Sequence, residues 1–303
     1  MAIDYENVFK NILGSAQAAG KSISLQVALS DPKLSSVKAE TAKRHLKRFI
    51  SQNPQYIGTV EGLLPSDEVL IQIIATKIGS KINEANVVSA NRECAEIVKS
   101  AAKPVLKTYV EQTLSGKLSG NQLIVSVPDL MDFLLDDYEV FSRGAGNSLV
   151  STAGRMNEKL LMECLKDKGL VEKQDFTKTG TKSDADIIIH SSAGAKPRLG
   201  VEVKSHHARE RLLRGLKDVT SPKVGVGYFV DEKEFNESHT QALIQANAAA
   251  VYLPQQTLAK MDRKVRDMTV LDPIAVNSRF YRPIESFASD MKEFCKKAKL
   301  PKK

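Results

Sequence analysis

In the run GVEVKSHHARERL, residues 200–212, Glu202 and Lys204 stand one residue apart on a stretch where Val201 and Val203 read as a buried β-strand. Side chains two apart on a strand share a face, so Glu202 and Lys204 project together while the valines face the other layer. Ten residues upstream, SDADIIIH carries Asp184 and Asp186 just before a second apolar run. An isolated charge on a buried strand costs several kcal/mol unless it is paired or bound to a metal. A hairpin through the turn-rich SSAGAKP would bring Asp186 beside Glu202. An aspartate and a glutamate together make a hard oxygen site of the kind Mg²⁺ favours. An adjacent ammonium can orient a water or stabilise charge building on a phosphate. Those are the parts that metal-assisted phosphodiester hydrolysis requires.

The elements that must hold these residues follow from periodicity. Residues 153–168 place Ala153, Met156, Leu160, Leu161, Cys164 and Leu165 on one helical face. Strands are expected at 185–190 and 198–204, a helix at 208–217, a strand at 223–230, a helix at 238–247 and a strand at 249–253. That order, helix, hairpin, helix, strand, helix, strand, predicts an α/β fold with a mixed central sheet flanked by helices. Residues 1–145 read instead as a mainly helical N-terminal domain, with helices near 37–50, 67–82, 89–115 (interrupted or kinked at Pro104) and 128–141. A Gly- and Ser-rich connector, FSRGAGNSLVSTAGR, leads into the second domain, 146–303, which closes on the basic run KKAKLPKK, expected to fray.

The pattern Asp186, then Glu202-Val203-Lys204, resembles the PD-(D/E)xK nuclease superfamily. The resemblance spans about residues 150–253 and includes the element order. Glu202 opens the only Glu-x-Lys triplet in the sequence, and it falls on a strand after a hairpin. Ala185 stands where the motif has proline, and Asp184 competes with Asp186 for the ligand role. Asp186 is preferred because it abuts the isoleucine run. The superfamily often places a further acid on the leading helix, and Glu158 occupies that place at the edge of the apolar stripe.

The resemblance implies a restriction-endonuclease-like core, Mg²⁺ as cofactor with Asp186 and Glu202 as its ligands, and Asp186, Glu202, Lys204 and Glu158 as catalytic residues. The added length around the core points to the type II restriction enzymes, which implies double-stranded DNA as substrate, a homodimer, and a partner methyltransferase. Alternatives are a structure- or modification-specific repair or anti-phage nuclease, and an inactive DNA-binding regulator.

Candidate DNA contacts lie elsewhere on the chain. SSVKAETAKRHLKRFI is a basic amphipathic helix after a chain break, as in a helix-turn-helix, and carries Lys43, Arg44, Lys47 and Arg48 opposite Ala42, Leu46, Phe49 and Ile50. Ser35 or Ser36 could cap it. A solvated face of an ordinary bundle would look the same. His206, His207 and Arg209 follow the strand that carries Lys204 and are candidates for the same role. The net charge of +8 permits a polyanionic partner without requiring one. The three cysteines, 94, 164 and 295, have no zinc or disulfide spacing. With an acidic start and no apolar run near the ~20 residues of a membrane span, a cytoplasmic protein is expected.

Overall fold

The computed structural model describes residues 3–113, 118–119, 122–134, 147–180, 185–193, 195, 197–204, 209–220 and 222–303. The chain divides into two compact units, Met1–Ile74 with Glu93–Ala153, and Ala75–Arg92 with Gly154–Lys303. The segment Ala75–Arg92 belongs to the second unit by specific chemistry. Glu84 accepts hydrogen bonds from the Ser289 amide at 2.6 Å and the Ser289 hydroxyl at 2.7 Å, and pairs with Lys168 at 2.8 Å.

The first unit is built on helices α1 (Tyr5–Ala18), α2 (Leu25–Ala28) and α3 (Ala39–Gln52). Their apolar faces meet in one cluster of Val8, Phe9, Leu13, Ala28, Leu46, Phe49 and Ile50, closed below by Tyr56 and Val60. The four apolar residues expected to face inward from α3 are all buried. The capping expectation fails. Lys38 occupies the cap position without a side-chain hydrogen bond, and the Ser35 hydroxyl donates to the Pro32 carbonyl at 2.7 Å. Asp31 instead caps the single turn Pro32–Leu34, and that turn consumes the serine before the helix begins. Helices α4 (Asp67–Ile78), α5 (Val87–Thr113) and α6 (Val127–Asp132) follow, and α5 continues through Pro104.

The core of the second unit is a six-stranded mixed sheet. Its strands are β1 (Phe176–Lys178), β2 (Ile187–His190), β3 (Arg198–Lys204), β4 (Lys223–Gly227), β5 (Ala248–Leu253) and β6 (Tyr281–Pro283). They lie side by side in chain order, β1 and β2 antiparallel to their neighbours, β3 through β6 parallel. Helices α7 (Asn147–Asp167), α8 (Arg209–Asp218), α9 (Glu237–Gln245) and α10 (Phe287–Lys297) flank it. This is the expected α/β arrangement of a mixed central sheet between helices. β4 and β5 are buried at every residue, as parallel strands covered on both faces must be. β4 stops at Gly227, short of the expected 230. The Phe229 ring folds back over Gly227, where an added Cβ would lie 1.9 Å from a ring carbon.

Two features were not anticipated. The basic tail docks: Leu300 is buried and its amide donates to the Ile274 carbonyl at 2.7 Å. Lys303 reaches Asp290 at 2.8 Å. Asp290 belongs to a buried network in which it also accepts from Arg282 Nη1 at 2.8 Å and the Tyr252 hydroxyl at 2.9 Å. Burial drives the Tyr252 phenol well above its ordinary range, so it stays a donor. Arg282 is fully buried, and its other nitrogens reach Ser278 Oγ and the Arg279 carbonyl. Replacing Arg282 with Leu leaves a buried carboxylate short of its main partner. The expected cost is about 3–5 kcal/mol, read as a lower denaturant midpoint. Removing Asp290 as well, by Asp290→Leu, should recover much of it.

Among the described residues, no helix is long and apolar enough to cross a membrane.

Candidate functional site

The hairpin sets the site. Ile187 of β2 pairs with Val201 of β3, so Asp186 falls opposite Glu202 on the next strand. The Asp186 amide donates to the Val201 carbonyl at 3.1 Å, extending the ladder by one residue. Its carboxylate turns over β3: Oδ2 accepts from the Val203 amide at 2.7 Å and stands 3.4 Å from Lys204 Nζ. Lys204 Nζ also pairs with Glu202 Oε1. One ammonium therefore lies between two carboxylates contributed by neighbouring strands.

Burial grades this cluster. Glu202 is 7% exposed, while Asp186 and Lys204 are only half-buried and open towards solvent. Burial raises the Glu202 carboxyl above its ordinary pKa of 4.5. The Asp186 charge adds to that and Lys204 opposes it, with a smaller upward push from Asp218. The like charges of Asp186 and Glu202 repel, so the pair favours a cation between them.

Glu158 of α7 approaches from the helix side. It pairs with Lys178 of β1 at 2.9 Å. Its carboxyl is raised, first by burial, against the opposing Lys178; Asp186 and Lys204 act on it with opposite signs, which places Glu158 within their electrostatic reach. Lys178 was not foreseen, because the three-residue β1 has no periodicity to reveal it. Among the described residues no group of three or more His, Cys, Asp or Glu side chains comes together as a metal cage. The carboxylates that could hold a cation here are Asp186 and Glu202, with Glu158 held by Lys178.

Two hard carboxylates suit Mg²⁺, which keeps several waters and needs one or two protein ligands. Lys204 already places one positive charge between these two carboxylates.

Other candidates separate. Asp184, His206 and His207 lie outside the described residues, as does the side chain of Arg209. His190 is a strand-end residue, with Nε2 2.9 Å from Thr177 Oγ1, and burial lowers its pKa. Lys43, Arg44, Lys47 and Arg48 belong to α3 of the first unit; Arg44, Lys47 and Arg48 are exposed and Lys43 partly so.

No family model matches the chain, and no curated protein matches it. Among solved structures it is similar to the restriction endonuclease PspGI in complex with substrate DNA. The two share 14% identity, with 77% of this chain and 93% of that chain covered, at a TM-score of 0.45.

Proposed function

We propose that this chain is a Mg²⁺-dependent endonuclease that hydrolyses double-stranded DNA at a short specific sequence, as type II restriction enzymes do. The observation that carries the reading is the convergence of Asp186, Glu202 and Lys204 on one face of adjacent strands, around a shared cationic position. Asp186 and Glu202 would hold the metal, which when bound would lower the pKa of a water and neutralise charge on the scissile phosphate. Lys204, held between the two carboxylates, would supply positive charge to a phosphate drawn to the site. Glu158 sets the field from the helix side. Asp186 takes the ligand role because its carboxylate is fixed by the Val203 amide, whose N–H leaves the second oxygen for other partners.

The deciding experiment is incubation of plasmid and phage DNA with the protein and Mg²⁺. Discrete fragments are expected. Cuts that follow DNA structure or modification would favour a repair or anti-phage nuclease, and retention without cutting a binding protein. Two active sites cutting a symmetric site also imply a homodimer. A light-scattering mass near the 33.3 kDa of one chain, with and without DNA, would count against the type II assignment.

The basic face of α3 is proposed as a phosphate-contacting surface. Replacing Lys43, Arg44, Lys47 and Arg48 with Gln should weaken DNA binding. The log–log salt dependence should flatten by about 0.9 for each phosphate that is no longer neutralised. An unchanged slope would return α3 to the role of a solvated helix.

A further inference from the structure

Helix α8 returns over the face of the sheet that bears Glu202. It presents Leu212 and Leu216 inward, and Val219 just past its end is buried beside them. Glycines on the strands let it come close. A Cβ added at Gly225 of β4 would meet Leu212 Cδ1 at 3.0 Å, and one at Gly200 of β3 would meet Val219 Cγ1 at 2.7 Å. From the end of the helix, the buried Lys223 of β4 donates to the Val219 carbonyl at 2.6 Å and also to that of Leu216. The helix is thus pinned at its C-terminal turn and pressed onto the sheet.

In that position α8 carries Gly215, a residue with no local reason to be glycine. It is inside the helix, its φ is not in the left-handed region, and glycine there lowers helix stability relative to alanine. Its surroundings explain it. A Cβ at 215 would lie 2.0 Å from Glu202 Oε1, 2.5 Å from Cδ and 2.9 Å from Cγ. All three nearest atoms belong to one side chain, and that side chain is the buried carboxylate of the site.

We infer that Gly215 is a positioning residue: the notch it leaves in α8 seats the Glu202 carboxylate and aims it at Lys204 and Asp186. This rests on the nuclease reading for its consequence in catalysis, but the seating of Glu202 stands or falls by itself. Because α8 cannot retreat from the sheet, a methyl group at 215 must push Glu202 out of its seat.

The test is a double-mutant cycle between Gly215→Ala and Glu202→Ala on the full chain, read by thermal unfolding, with a crystal structure of Gly215→Ala and calorimetric titration with Mg²⁺. In the presence of Glu202, Gly215→Ala should leave the melting temperature unchanged or lower it. In the Glu202→Ala background the same change should raise it, because the helix gains alanine and nothing is displaced. The crystal structure should show the Glu202 carboxylate moved by more than 1 Å, about the displacement that small misplacements of a reacting group need to matter. Mg²⁺ affinity should drop at least about tenfold, and shortening the acid by Glu202→Asp in the Gly215→Ala chain should recover part of it. Additive effects in the cycle, or a carboxylate that stays in place, overturn the inference. If Gly215→Ala alone fails to fold, folding of the Gly215→Ala/Glu202→Ala chain supports the clash, and its failure too refutes it. A positive cycle in a chain that never cuts DNA would sink the nuclease reading and leave the positioning role intact.

Discussion

Asp186→Asn should abolish the proposed Mg²⁺-dependent DNA cleavage, with an expected rate loss of about a thousandfold or more, equivalent to at least about 4 kcal/mol of transition-state stabilisation. The substitution keeps shape and volume. Asn can still accept the Val203 amide hydrogen bond, so the hairpin register and the melting temperature should be close to those of the wild type. What disappears is one of the two charges proposed to hold the metal. Asp186 also raises the Glu202 carboxyl, so its removal lets that group ionise at lower pH. The residual, weaker Mg²⁺ binding of Asp186→Asn should therefore persist to lower pH on acidification than wild-type binding does. DNA affinity without metal should be equal or higher, since a negative charge facing the phosphates has gone. Wild-type cleavage by this variant would mean that the nuclease site lies elsewhere or does not exist.

Lys204→Ala should also impair cleavage, while acting on the Glu202 carboxyl in the opposite direction. An ammonium cannot be a metal ligand, so the two carboxylates keep their oxygens for Mg²⁺. The charge between them is removed, and their mutual repulsion is then offset only by the metal. Lys204 is one of the groups that pull the Glu202 carboxyl down, so without it Glu202 protonates at a higher pH. Calorimetric titration should show Mg²⁺ affinity retained at neutral pH. As the pH is lowered, affinity should fall earlier than in wild type, the reverse of the Asp186→Asn profile. Cleavage should fall by about a hundredfold or more at every pH, in keeping with loss of a positioned proton-transfer or charge-stabilising group. If Lys204→Ala cut at the wild-type rate, Glu202 and Lys204 would be a buried ion pair that only knits the sheet.

Much of the second unit was legible in the sequence. Val201 and Val203 alternating with Glu202 and Lys204 assigned faces to β3, because strand period two leaves no other choice. The Gly- and Pro-containing link after His190 implied a hairpin, and the hairpin put Asp186 beside Glu202. The period of 3.6 picked the buried residues of α3 and of the second half of α7.

Tertiary contacts decided the rest. β1 has one buried apolar residue in three, too few for any period, so Lys178 could not be seen as the partner of Glu158. The lysine-rich end of the chain reads as a solvated tail from composition alone, yet Leu300 and Lys303 dock against Ile274 and Asp290, residues with no local signature. Gly215 shows the difference most sharply. Its meaning depended on how closely α8 lies on the sheet, which no local pattern records. Local sequence determines which way a side chain points, because φ and ψ do. How much room it finds there depends on atoms that arrive from the rest of the chain, and close packing makes that a matter of tenths of an ångström.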